Sequence, residues 1–176
     1  TDASTLATVT DANGNNDYTA TITTASVDAS VFNGISNVIA NLTDGGVTTL
    51  TETAADFAEV NTALTGGVLN GNEAVTITGD ITAVNVSTIL NNTSGVVTAT
   101  ISSDTAANLN SNLTNTSGND ALTLTVTNTP TDAADLVALN GKTSVNVNAA
   151  SISLLTGTIA QVQAAYTANT AGTITG

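Results

Sequence analysis

The stretch TDAADLVALNGKTSVNVN, residues 131–148, holds a whole structural phrase. Thr131 is a candidate helix N-cap, and Leu136 and Leu139 share one face of a short helix. Asn140-Gly141 ends that helix, and Val145 and Val147 then alternate with polar residues as a strand does. Lys142, within the same phrase, is the one basic residue of the chain. The order of small helix formers, Asn/Gly turn and alternating strand recurs upstream, so the phrase reads as one unit of a repeat.

Working outward, the alternating runs are TATIT (19–23), VTTLT (47–51), AVTIT (74–78), VTATI (97–101), LTLTV (122–126), SVNVN (144–148) and TIT (173–175). Their period of two and β-branched content predict strands. Their spacing of roughly 22 to 28 residues matches strand-plus-helix repeats. Between them lie one-sided apolar stripes: Val31/Ile35/Val38/Ile39/Leu42, Phe57/Val60/Leu64, Ala106/Leu109/Leu113, Leu136/Leu139 and Ile159/Val162/Tyr166. Thr53 with Asp56, and Thr158 with Gln161, form capping-box patterns, and Asp104 or Thr105 and Thr131 are further N-cap candidates. The helices run into TDGG (43–46), NNTSG (91–95), TNTSG (114–118) and NGK (140–142), which are turn sequences. Two stretches break the pattern: Ile81, Val84 and Val86 in GDITAVNVSTIL (79–90) suggest a second strand, and ISLL (152–155) suggests an extra one.

Strands separated by helices and short turns must lie parallel, joined by right-handed crossovers. Strands buried on both faces would be continuously apolar, whereas these alternate, so helices should cover one face only. The expected fold is therefore an α/β solenoid with right-handed coils of about 25 residues, a parallel β ladder and short helices on one face. A β-solenoid or other β-rich repeat fold is the alternative. Residues 1–176 are expected to form a single repeat domain of about six to seven coils, a rod roughly 35 Å long at about 4.8 Å per coil.

Composition limits the chemistry. With 1 Lys, 14 acids and no His, the net charge is −13, yet only 9% of residues are charged. Nucleic-acid binding draws on phosphate neutralisation, and the chain has one cation to offer. Anionic membranes are disfavoured for the same reason, and no segment is apolar enough to insert across a bilayer. The chain has no Cys, Met or Trp. Enzyme readings lack parts: there is no His, Cys or Arg, and no Gly-rich phosphate loop with a Lys. The acid pairs Asp132/Asp135 and Asp56/Glu59 read first as helix-start carboxylates. Scarce Lys and Arg leave little for a trypsin-like protease to cut, which with the Thr/Asn/Ser bias predicts an extracellular or cell-surface setting. The absence of an initiator Met suggests that Thr1 starts a processed or excised piece.

The segment AADLVALNGKTSVNVNAASISLLTGTIAQVQAAY (133–166) resembles degenerate Thr/Asn/Ala-rich repeats of very large bacterial, especially cyanobacterial, cell-surface proteins. The resemblance is strongest over 119–172 and looser over 16–118. It implies an extracellular structural or adhesive role and brings no catalytic residues.

Candidate sites follow from the alternation. Inward positions are Ala20/Ile22, Val75/Ile77, Val97/Ala99/Ile101, Leu122/Leu124 and Val145/Val147. The outward face is then Thr21, Thr23, Thr76, Thr78, Thr98, Thr100, Thr123, Thr125, Asn146 and Asn148. Regular Thr-x-Thr arrays of this kind resemble ice-binding surfaces, although Thr is also an ordinary solvent-facing strand residue. In DANGNND (11–17), Asp11, Asn13, Asn15 and Asp17 alternate around a Gly, similar to a calcium loop but without the twelfth-position Glu of an EF-hand; a plain turn is the simpler reading. Calcium is thus the one cofactor left open. Lys142 reads as a helix-dipole contact, with an isopeptide bond as the more exotic reading.

The ends lack charged or Pro-rich caps: TLATV (5–9) and TITG (173–176) are both strand-like, and Pro130 is internal. Uncapped solenoid ends expose unpaired backbone and apolar layers. The chain is therefore expected to pair with itself, head to tail, or with flanking repeats, as a structural self-associating module: a filament subunit or a segment of a giant surface or sheath protein. The alternatives are an ice-binding or surface-adhesive module and a calcium-dependent adhesin repeat.

Overall fold

A computed structural model of the chain describes Ala3, residues 18–127 and residues 130–176. Among these, six short helices alternate with short strands, and every strand pair described below is parallel. The fold is α/β. The chain divides into two compact units, one formed by residues 1–78 with 92–96, the other by 79–91 with 97–176.

In the first unit, β1 (Thr19–Ile22) pairs with β3 (Asn41–Asp44), Thr19 lying opposite Asn41. β2 (Ser26–Asp28) leads directly into α1 (Ala29–Ser36). β4 (Thr49–Thr53) lies between β2 and the start of β5 (Ala74–Ile81), aligning Val27 with Leu50 and Leu50 with Val75. α2 (Ala58–Thr65) packs on α1. The strands and helices close on Ile22, Val27, Phe32, Ile35, Leu50, Val60, Val75 and Ile77, all buried. Each such side chain contributes about 1.5–3 kcal/mol by leaving water. Residues 74–78 of β5 belong here; its last three residues pass into the second unit.

The second unit continues with α3 (Ala83–Leu90), β6 (Val97–Ile101) and α4 (Ala106–Asn112). Next come β7 (Ala121–Thr123), β8 (Thr131–Asp132), α5 (Ala133–Asn140) and β9 (Val147–Asn148). β10 (Leu155–Thr156), α6 (Ile159–Thr170) and β11 (Ile174–Thr175) complete it. β6 pairs with β7, β8 with β10 and β9 with β11, while Thr125 bridges to Asn148. Helices stack in sequence: α3 on α4, α4 on α5, α5 on α6.

Local chemistry explains where the helices start. Asp28, Thr82, Thr105, Asp132 and Thr158 each accept a backbone N–H from the first turn through a side-chain oxygen, satisfying a donor that the helix leaves open. The capping box of Thr158 and Gln161 forms in full. The other expected box closes one turn early: Thr53 and Asp56 bond to each other, but α2 starts after Phe57 without a side-chain cap. Thr131 is a buried strand residue, and the cap at α5 is its neighbour Asp132.

Several expectations are corrected. The stripe through Leu42 is too long, because α1 stops at the Asn37 cap and residues 41–44 pair with β1 instead. α1 buries Ala29, Phe32, Asn33 and Ile35, whereas Val31 and Val38 are only half-buried. Residues 83–90 form a helix rather than a second strand, since Val86, Ile89 and Leu90 bury one face behind the Thr82 cap. The modest helix penalty of β-branched residues yields to that burial. The extra strand at 152–155 shrinks to β10 at Leu155–Thr156. The stripe Ile159/Val162/Tyr166 does not face a core: Ile159 is 88% and Tyr166 63% exposed, and Val162 is half-buried.

Candidate functional site

The ten outward positions differ in exposure. Thr21, Thr23, Thr78, Thr98, Thr100, Thr123, Asn146 and Asn148 are exposed, and Thr76 and Thr125 are half-buried. Thr21 does not share a row with Thr76 and Thr78. Thr21 sits in the separate β1–β3 pair opposite Thr43, while Thr76 and Thr78 continue Thr51 and Thr53 of β4. In the second unit, Thr100 stands beside Thr123, and Asn148 links Thr125 to Thr175. Asn146 precedes β9 and belongs to no strand. Some hydroxyls also serve the ladder itself, as Thr78 Oγ donates to Glu52 O at 3.3 Å. The inward set is buried except for half-buried Ala20 and for Val145, which is 37% exposed. Val145 is displaced because Thr143 takes the inward place, accepting Leu122 N at 3.0 Å and Val145 N at 3.1 Å.

That substitution exposes a feature the alternation conceals. Buried polar side chains lie in the turns before β5, β7 and β9 (Glu73, Asp120 and Thr143) and within β4 (Glu52), and several of them tie segments some two dozen residues apart. Asp120 accepts Val97 N at 2.9 Å through Oδ1 and both the N–H and hydroxyl of Ser117 through Oδ2. Glu52 accepts the N–H and hydroxyl of Ser30. Glu73 is fully buried and accepts Asn70 N at 2.9 Å, while its Oε2 has no partner. Thr93 donates to Glu73 O much as Thr143 donates to Leu122 O. The spacing Ser117-x-x-Asp120 and Asn70-x-x-Glu73 is a sequence signal for these turns.

Four further acids make hydrogen bonds, two within their own turn and two to segments about 25 residues away. Asp132 caps α5, Asp135 accepts Asn110 Nδ2 at 3.1 Å, Glu59 accepts Asn33 Nδ2 at 2.6 Å, and Asp56 closes the Thr53 turn. Lys142 Nζ donates to Leu113 O at 2.6 Å, the carbonyl at the C-cap of α4. This is the helix-end contact expected of it, made to the preceding helix rather than its own. Asp11, Asn13, Asn15 and Asp17, like TLATV, lie outside the described residues. Among the described residues, no group of three or more His, Cys, Asp or Glu is placed to hold a metal.

A concavity lies within the second unit. It is a groove of about 360 Å³ between the segment Ile152–Leu155, α6 and β11, with Leu136 at its floor. Its walls are mainly aliphatic, with Tyr166 and Asn169 at the side of α6. β11 pairs with β9 alone among the described strands, through Val147 N to Thr173 O and Ala149 N to Thr175 O. One helix stripe, one groove and one strand edge thus open together. Ser153, Tyr166 and Asn169 are the polar side chains that line the groove.

No protein-family model, curated protein or solved structure matches this chain.

Proposed function

We propose that the protein is a structural, self-associating extracellular module: a filament subunit or a segment of a large cell-surface or sheath protein. In this reading the helix-and-strand segments are coils of a right-handed α/β solenoid, each about 25 residues long. Parallel partners lie 22 residues apart at Thr19–Asn41 and 27 apart at Val147–Ile174, which supports such coils. The observation that carries the function is an open strand edge: among the described strands β11 pairs with β9 alone, beside the exposed Ile159 and Tyr166 of α6. A parallel ladder with an apolar, unpaired edge favours addition of another strand-bearing segment. Joining unlike ends propagates without closing, so the product is an open filament or array. The resemblance to bacterial surface repeats and the low Lys content support an extracellular place. Among the described residues, no helix is long and apolar enough to cross a membrane. Electron microscopy of the purified chain tests the reading: rods or filaments of many subunits are expected, and single particles of one chain at every concentration would contradict it.

A second reading, binding to ice or another ordered surface, draws support from the exposed, uncharged Thr98, Thr100 and Thr123. Thermal hysteresis and shaped ice crystals are its expected signs, and their absence removes it. A calcium-dependent adhesin is the third reading, resting on Asp11, Asn13, Asn15 and Asp17; calcium titration calorimetry of wild type and Asp11→Ala tests it.

A further inference from the structure

The sequence has four Asn-Gly pairs, starting at Asn13, Asn33, Asn70 and Asn140. Such a pair can react with itself: the glycine nitrogen attacks the side-chain amide carbon of the asparagine and expels ammonia. Glycine permits this because it has no Cβ to crowd the five-membered ring that forms. The step needs a free N–H and a side chain able to swing onto it at near-attack distance. Asn13 lies outside the described residues, and the other three sit in different surroundings.

Asn33 is buried within α1, its Nδ2 donating to Glu59 O and to Glu59 Oε2, and Gly34 follows inside the same helix. Asn140 is the last residue of α5, and the Gly141 N–H donates to Ala138 O at 3.2 Å. Asn70 is exposed, in the turn between α2 and β5. Gly71 has a φ of +73°, and among the described residues its N–H has no acceptor. The Asn70 side chain is lightly held, by a 3.3 Å bond from Nδ2 to Asp44 Oδ2.

We infer that Asn70 is a site of spontaneous deamidation, converted through a cyclic imide to aspartate and isoaspartate, and that the conversion opens the turn before β5. In the first step the bond from Gly71 N to Asn70 Cγ forms, the Cγ–Nδ2 bond breaks, and the Gly71 proton leaves with the nitrogen as ammonia. Water then opens the imide at either carbonyl, leaving a carboxylate on the side chain or on the main chain. Solvent water is the only co-reactant.

Both products act on Glu73. That side chain is fully buried, its Oε1 accepts Asn70 N at 2.9 Å, and its Oε2 has no partner. Aspartate at position 70 replaces the donor to Asp44 by a second carboxylate. Isoaspartate lengthens the main chain between the Asn70 N–H and Glu73 by a methylene, which pulls that donor out of place. A buried carboxylate deprived of its donor is strongly unfavourable, so the turn yields.

Incubation of the full chain in mildly alkaline buffer, followed by peptide mapping with tandem mass spectrometry, tests the site. A gain of about one mass unit should build up at Asn70, in aspartyl and isoaspartyl forms, about tenfold or more faster than at Asn33 or Asn140. Asn70→Ser should abolish the gain at this position and leave Asn33 and Asn140 as slow as in wild type. Equal rates at the three pairs, or earlier reaction at Asn33 or Asn140, overturn the assignment. Hydrogen exchange tests the consequence. The amides of Ala74 and Val75, which donate to Thr48 O and Val96 O, should lose protection in the converted wild type and in Asn70→Asp, and keep it in Asn70→Ser incubated alike. Unchanged protection in both the converted wild type and Asn70→Asp overturns the link between this site and the turn.

Discussion

The segment built on α5 and the segment built on α6 are made by the same local rules and end in opposite circumstances. Both helices start at a side-chain cap, Asp132 or Thr158, and both lead to a two-residue parallel strand. α5 buries Ala133, Leu136 and Leu139, whereas α6 buries Ala165 and leaves Ile159 and Tyr166 in water. Caps, turns and periodicity are instructions to one segment about itself. Burial is decided by what lies next to it, and α6 has a neighbour on one side. An apolar stripe in a sequence therefore predicts a surface that needs covering, not the molecule that covers it.

Four perturbations sharpen this contrast. The largest effect is expected for Leu139→Ala, which leaves a cavity under α5 and should cost about 2–5 kcal/mol in denaturant unfolding. Thr143→Val comes next: it removes the acceptor of the Leu122 and Val145 amides and should cost about 1–3 kcal/mol by the same measurement. Asp132→Ala and Thr158→Ala should each cost about 1 kcal/mol, because a cap serves its own helix whether or not the helix is covered. Smallest is Ile159→Ala, expected within about 0.5 kcal/mol of wild type at a dilution where chains are separate. A loss comparable to that of Leu139→Ala would show that Ile159 packs within its own chain, which would erase the contrast.

Much of the α/β pattern was legible because strands and caps carry local signals. VTATI is β6 residue for residue, and Thr105 and Thr158 cap the helices they precede. Two kinds of information were hidden. The Leu42 and Val84 assignments went astray because short apolar runs fit both a helix and a strand, and partners distant in sequence decide between them. Glu73, Asp120 and Thr143 escaped notice because buried polar side chains imitate surface residues until their acceptor roles are seen. Thr21, Thr23, Thr78, Thr98, Thr100 and Thr123 are exposed while Thr76 and Thr125 are half-buried, and Thr21 fell in a different strand pair from Thr76, since alternation fixes a side and not a register. The α6 face was read as core for the reason already given: its periodicity is that of a covered helix.

The most direct measurement is amide hydrogen exchange followed from dilute to concentrated protein. The Ile174 amide, which faces the open edge of β11, should gain protection as concentration rises, while the Thr175 amide, which faces β9, and the amides of α5 should not change. Protection of β11 that is independent of concentration, in a sample whose average mass does rise, would place the contact elsewhere and contradict the account.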